Sequence, residues 1–116
     1  MIIFPLNAPV TTAQSWGQRR EFMLSQIPVD FSKVAKNDLD KEILRAAIIA
    51  ELDAINLYDQ MAALATDKDI KKVLLDIARE EKTHVGEFQT MLLRLDAEQV
   101  KEMEHAKKEI KELTGK

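Results

Sequence analysis

Two long stretches of this chain repeat their apolar residues every three or four positions, and a polar tetrapeptide separates them. In the first, capped by Asn37 or Asp38 and running to about Ala65, the residues Leu44, Ala47, Ile48, Ile55, Tyr58 and Ala62 share one side of a helix. In the second, running to about Leu95, the stripe is Ile70, Val73, Leu74, Ile77, Ala78, His84, Val85, Phe88 and Leu92. Between them Thr66-Asp67-Lys68-Asp69 offers capping side chains and nothing to bury. The pattern predicts an antiparallel hairpin of two long helices with a tight turn near residues 66–67. Asp96-Ala97-Glu98-Gln99 is a variant capping box that opens a third, shorter helix, ending near Thr114-Gly115.

The pattern ahead of the hairpin is different. Residues 1–10 hold Pro5 and Pro9 and read as an extended arm. Residues 12–26 form a short predicted helix with Trp16, Arg20, Met23 and Leu24 on one side. It ends at Gln26-Ile27-Pro28, because the residue before a proline avoids the helical region. Residues 28–36 are a connector whose Val29, Phe31 and Val34 are expected to dock on neighbouring structure. The chain thus divides into an arm with a short helix, residues 1–36, and a helical unit, residues 37–116.

Composition narrows the class. In 116 residues, 46% are hydrophobic and 32% charged, with only 3 Gly and 3 Pro, which suits one small all-α domain. The formal charge of −3 comes without a basic patch, so no nucleic-acid partner is expected. The absence of cysteine excludes disulfides, thiolate metal sites and cysteine nucleophiles from this chain. No apolar run approaches the ~18 residues of a membrane span. Met1 to Pro5 lack the basic residues and long apolar run of a signal peptide, so the expected location is cytoplasmic.

The candidate chemistry lies within the two stripes. Glu51 stands inside the first, and Glu81-Lys82-Thr83-His84 inside the second. Glu-x-x-His sets a carboxylate and an imidazole about 300° apart around a helix, hence on one face and one turn apart. This is the ligand arrangement of di-iron carboxylate bundles. Glu51 lies as far before the turn as Glu81 lies after it, so the two glutamates stand level. Tyr58 is likewise level with Leu74, and Ile48 with His84. Facing carboxylates in an apolar stripe repel, and need a proton, a cation or a hydrogen-bonded partner. Iron and manganese both accept such mixed donors.

A complete site of this kind takes four carboxylates and two histidines from four helices. One chain supplies half of that. A two-fold dimer doubles the inventory and turns two hairpins into a four-helix bundle. The expectation is a metal centre on the symmetry axis, liganded by Glu51, Glu81 and His84 of each chain. Tyr58, two turns from Glu51 on the same face, reads either as a hydroxyl donor beside the site or as a core tyrosine. Asp53, Glu80 and Glu87 read as solvated surface residues that could line a path for cations, His105 as a surface histidine, and Trp16 as an anchor for the arm. Gly86 in mid-helix is unfavourable unless another helix approaches closely.

The segments Ala47-Ile48-Ile49-Ala50-Glu51-Leu52-Asp53-Ala54-Ile55-Asn56-Leu57-Tyr58-Asp59-Gln60 and Asp76-Ile77-Ala78-Arg79-Glu80-Glu81-Lys82-Thr83-His84 resemble the two metal helices of the encapsulated ferritin family. The likeness runs from about Asp40 to Thr114 and is strongest to the ferritin-like segment that some archaea fuse to the front of an encapsulin shell protein. The resemblance implies a ferritin-like half-bundle that dimerises, and a ferroxidase that oxidises Fe(II) to Fe(III) with oxygen at a di-iron centre between two subunits. It further implies dimers joined into a ring, a decamer, working as cargo inside an encapsulin nanocompartment. Glu51, Glu81 and His84 match the family's iron ligands, and Tyr58 its nearby tyrosine. Asp53 matches an acidic position of a secondary metal site, but Ala50 and Leu57 replace a glutamate and a tryptophan there. Residues 1–36 exceed what the family carries and are expected to dock on a ring or shell, or to swap between subunits. Two rivals use the same residues: a rubrerythrin-like peroxide reductase, and a non-catalytic helical assembly or cargo protein.

Overall fold

The computed structural model describes residues 30–116, so the predicted arm over 1–10 and the helix over 12–26 lie outside the described residues. The connector contains a single 3-10 turn, Phe31–Lys33, capped by Asp30, whose side chain accepts from the Ser32 amide at 3.1 Å. Phe31 does not dock as expected. It is exposed, while Val34 is half-buried.

Three helices follow: α1 over Leu39–Leu64, α2 over Lys68–Leu95 and α3 over Ala97–Thr114. No strand occurs among the described residues. Asp38 occupies the N-cap position of α1, but its carboxylate reaches Lys41 Nζ at 3.1 Å and caps no amide. Asp40 and Glu42 in the first turn complement the positive end of the helix dipole instead. The turn needs no glycine, because Ala65 leaves α1 in an extended conformation. Asp67 then caps α2, accepting from the Asp69 and Ile70 amides at 2.8 and 3.0 Å.

A single residue, Asp96, joins α2 to α3. Its Oδ1 accepts from the Gln99 amide at 3.0 Å, which is half of the expected capping box; its own amide donates to the Leu92 carbonyl. Its Oδ2 is 2.8 Å from Arg45 Nη2 on α1, an ion pair across fifty-one positions that helical periodicity cannot reveal. Gly115 ends α3 in the left-handed region, φ 75°, and returns its amide to the Lys111 carbonyl at 2.8 Å.

α1 packs along α2, whereas α3 touches the hairpin sparsely and buries no residue. The closed part of the interface is narrow: Ala54 and Ala62 from α1, Ala78 and Leu92 from α2, and the two glutamates Glu51 and Glu81. The radius of gyration is 18.1 Å, against about 13 Å for a compact domain of this size. Much apolar surface therefore stays open. On α2 the exposed Ile70, Val73, Met91 and Leu95 continue, at three- and four-residue spacing, a stripe that passes through Ile77, His84 and Phe88. A side chain at Gly86 would meet nothing within 4 Å, so nothing within the described chain requires glycine there.

Candidate metal centre

α1 and α2 bring three of the sequence-derived candidates to one place. One ligand atom from each of Glu51, Glu81 and His84 lies within 4.8 Å of the other two, and this is the metal-capable group found among the described residues. The level placement follows from the turn: α1 and α2 leave it at equal rates, and both glutamates fall on the facing stripes. Glu51 and Glu81 are 4% and 6% exposed. His84, one turn along α2 from Glu81, has a side chain 45% exposed. The group is therefore closed toward the hairpin interior and open on the histidine side.

Its hydrogen bonding is asymmetric. His84 Nδ1 donates to Glu81 Oε2 at 3.0 Å and stands 3.8 Å from Glu51 Oε2. Glu51 Oε2 is buried with no hydrogen-bond partner. Such an atom costs roughly 1–3 kcal/mol unless something compensates it. Burial, then hydrogen bonding and charge from Glu81, push the Glu51 carboxyl up to about 7. The bond shared with Glu51, helped by His84, holds Glu81 below its ordinary value despite its burial. His84 is raised, chiefly by its hydrogen bond to Glu81. Below neutral pH Glu51 thus keeps its proton while Glu81 is ionised. A cation can take that proton's place, and two carboxylate oxygens with an imidazole nitrogen form a donor set suited to a divalent first-row metal. The orphaned Glu51 oxygen is the observation that fits this group to a metal.

The other candidates lie apart. Tyr58 is half-buried, two turns or about 10 Å along the helix axis from Glu51. Asp53 is half-buried, and Glu80 and Glu87 are exposed. His105 lies on the surface of α3 between Glu102, 3.3 Å from Nδ1, and Glu109, 3.6 Å from Nε2.

A family model described as Rubrerythrin matches residues 42–115. Over 74 residues the chain is 65% identical to the ferritin-like-encapsulin shell fusion protein of Pyrococcus furiosus, covering 64% of this chain and 21% of that protein. Over 82 residues it is 37% identical to the encapsulin nanocompartment cargo protein EncC of Myxococcus xanthus, covering 68% of this chain and 61% of that one. The chain thus spans about a fifth and about three-fifths of the lengths of these two relatives. In three dimensions it is similar to the crystal structure of an encapsulated ferritin domain from Pyrococcus furiosus. The TM-score is 0.68 at 52% identity, with 82% of this chain and 97% of that chain covered.

Proposed function

The chain belongs to the rubrerythrin family and, within the ferritin-like fold, to the encapsulated ferritins, and from that premise we propose that it is a ferroxidase, oxidising Fe(II) to Fe(III) with oxygen at a di-iron site shared between two copies. The observation that carries this reading is the buried, unpartnered Glu51 oxygen beside Glu81 and His84. One copy holds half of a ferritin-like donor set; two copies hold four carboxylates and two imidazoles. The open side of His84 and the uncovered stripe through Ile70, Val73, Met91 and Leu95 support association of a second hairpin there, completing a four-helix bundle.

In this reading two Fe(II) substrate ions would each surrender one electron to one dioxygen molecule, which takes up two protons and leaves as hydrogen peroxide. Glu51 gives up its proton to become a ligand. Glu81, already ionised, would be the second carboxylate ligand, and His84 would supply the nitrogen donor. Tyr58 stands two turns away as a hydroxyl donor on the same face. We further propose that dimers join into a ring, a decamer, and that the protein works inside an encapsulin shell in the cytoplasm, storing or detoxifying iron. The relatives support this context, one being fused to an encapsulin shell protein and one an encapsulin cargo. No helix among the described residues is long and apolar enough to cross a membrane.

The family model's description keeps a rubrerythrin-like peroxide reductase as the second reading. This chain has no cysteine to hold a rubredoxin-type iron. Rates of iron-dependent oxygen and peroxide consumption separate the two. Anomalous scattering at the iron edge tests the shared site: iron at the two-fold axis between the two copies, against Glu51 and Glu81 of each, is expected, and iron away from these residues, or none after soaking, rejects it. Unchanged oxygen uptake and dimer assembly in both Glu51→Ala and His84→Ala would leave only an assembly or cargo role.

A further inference from the structure

We propose that Ala54 and Ala78 are positioning residues for the carboxylate pair, setting the spacing of α1 and α2 beside Glu51 and Glu81 and so the bite of the ligand group; the inference rests on the metal reading above. Ala54 lies one turn beyond Glu51 toward the hairpin turn, and Ala78 one turn from Glu81 in the same direction. They are equidistant from the turn and therefore level. Both are nearly closed off, at 3% and 2% exposure. Two side chains this small and this well covered, level with each other on the two packed helices, point to close packing of α1 on α2 at this layer. Helix axes separate by about 8–10 Å according to the side chains between them, and alanine on both sides sets the lower end.

The layer with alanine on both helices is local. The adjacent levels pair Ile55 with Ile77 and Tyr58 with Leu74 toward the turn, and Ala47 with Val85 beyond the glutamates; all six residues are half-buried. The alanine pair thus adjoins the carboxylates, and each of the named levels around it has at least one larger side chain. The same spot carries the unpartnered, 4%-exposed Glu51 oxygen. Without close helices that oxygen would reach water, and the three ligand atoms would not fall within 4.8 Å of each other. Added methyl groups at this layer must push the backbones apart or force strained rotamers. Metal–ligand distances tolerate only about ±0.2 Å.

Ala62 supplies the control. It is 1% exposed, but about 16 Å along the axis from Glu51. The experiment titrates cobalt(II) into the whole protein and its Ala54→Val, Ala78→Val and Ala62→Val variants. Visible absorption reports the coordination geometry, and circular dichroism confirms folding. The expected result is a cobalt(II) affinity about tenfold or more weaker, with altered absorption bands, in Ala54→Val and Ala78→Val. Ala62→Val is expected to lose stability while retaining the parent's affinity and bands. Parent-like binding in both site-proximal variants, or an equal loss in Ala62→Val, overturns the proposal. Should a valine variant not fold, Ala78→Ser against Ala62→Ser makes the same comparison with one added oxygen. Failure of the unaltered protein to bind cobalt(II) would strike the metal reading itself and is thereby distinguished.

Discussion

Glu51 and Glu81 face each other from neighbouring helices at the same level, yet they are unequal. Glu81 has a hydrogen bond to His84 at 3.0 Å, whereas Glu51 is left with a buried oxygen that has none. Their proton affinities move in opposite directions: burial, with Glu81 opposite, pushes Glu51 up to about 7, and Glu51, with His84, holds Glu81 down. This opposition sets how the metal-free protein responds to pH.

Between 4.5 and about 7 the folded chain keeps a proton on Glu51 that the unfolded chain releases. The stability contributed by Glu51 is therefore fully present below 4.5 and is lost as pH rises through about 7. His84, also raised, acts in the same direction above its ordinary value of 6.5. Glu81, lowered, acts oppositely and loses its contribution only as pH falls below its ordinary range. Glu51→Gln is expected to stabilise the metal-free protein at pH 8 by about 1–3 kcal/mol, with little gain at pH 4.5. Urea unfolding in the presence of a chelator, at the two pH values, measures it; equal effects at both would contradict the proton assignment.

Metal binding should release protons. At pH 6 Glu51 and His84 are both largely protonated, so cobalt(II) binding is expected to expel about one to two protons per chain, fewer at pH 8. Calorimetry in two buffers of different ionisation enthalpy counts them. Glu51→Gln should lower the count at pH 6 by about one; no change would show that another group holds the proton.

His84→Ala should separate binding from folding. Its side chain is 45% exposed and meets the pair through Nδ1, 3.0 Å from Glu81 Oε2 and 3.8 Å from Glu51 Oε2. The metal-free unfolding free energy is expected to fall by about 1–3 kcal/mol, because the buried Glu81 oxygen loses its partner, while the chain still folds. The stabilisation given by saturating metal in the parent, about 2.7 kcal/mol at a hundredfold excess over the dissociation constant, should largely disappear. Thermal melts with and without iron(II) under anaerobic conditions test both halves.

Arg45→Ala should loosen α3 without melting the hairpin. The Arg45–Asp96 pair ties α1 to the single residue from which α3 departs. Part-exposed pairs contribute about 1 kcal/mol or less, enough to hold an angle and too little to hold a fold. Because the chain has no cysteine, two introduced ones can carry spin labels on α1 and α3. A broadened distance distribution in Arg45→Ala is expected, and an unchanged one would assign the angle of α3 to Asp96's backbone alone.

Much of this arrangement is legible in the chain itself. Helical periodicity marks α1 and α2, Asp67 and Asp96 mark where helices begin, and Gly115 marks where the last one ends. Because the turn is short, counting outward from it already places Glu51 opposite Glu81. His84 needs only the pitch of a helix to join them. The departures come where side chains choose between partners: Asp38 turns to Lys41 rather than to an amide, and Phe31 stays exposed.

What the sequence by itself determined is the set of helices, the level of the glutamates and the identity of three convergent donors, since periodicity and turn length are local properties. Only the tertiary structure decided which carboxylate keeps the hydrogen bond to His84, which oxygen is orphaned, and that Ala54 and Ala78 are closed off beside them. It also decided that Arg45 reaches Asp96. These depend on the distance and rotation between packed helices, and no repeat along the chain encodes either.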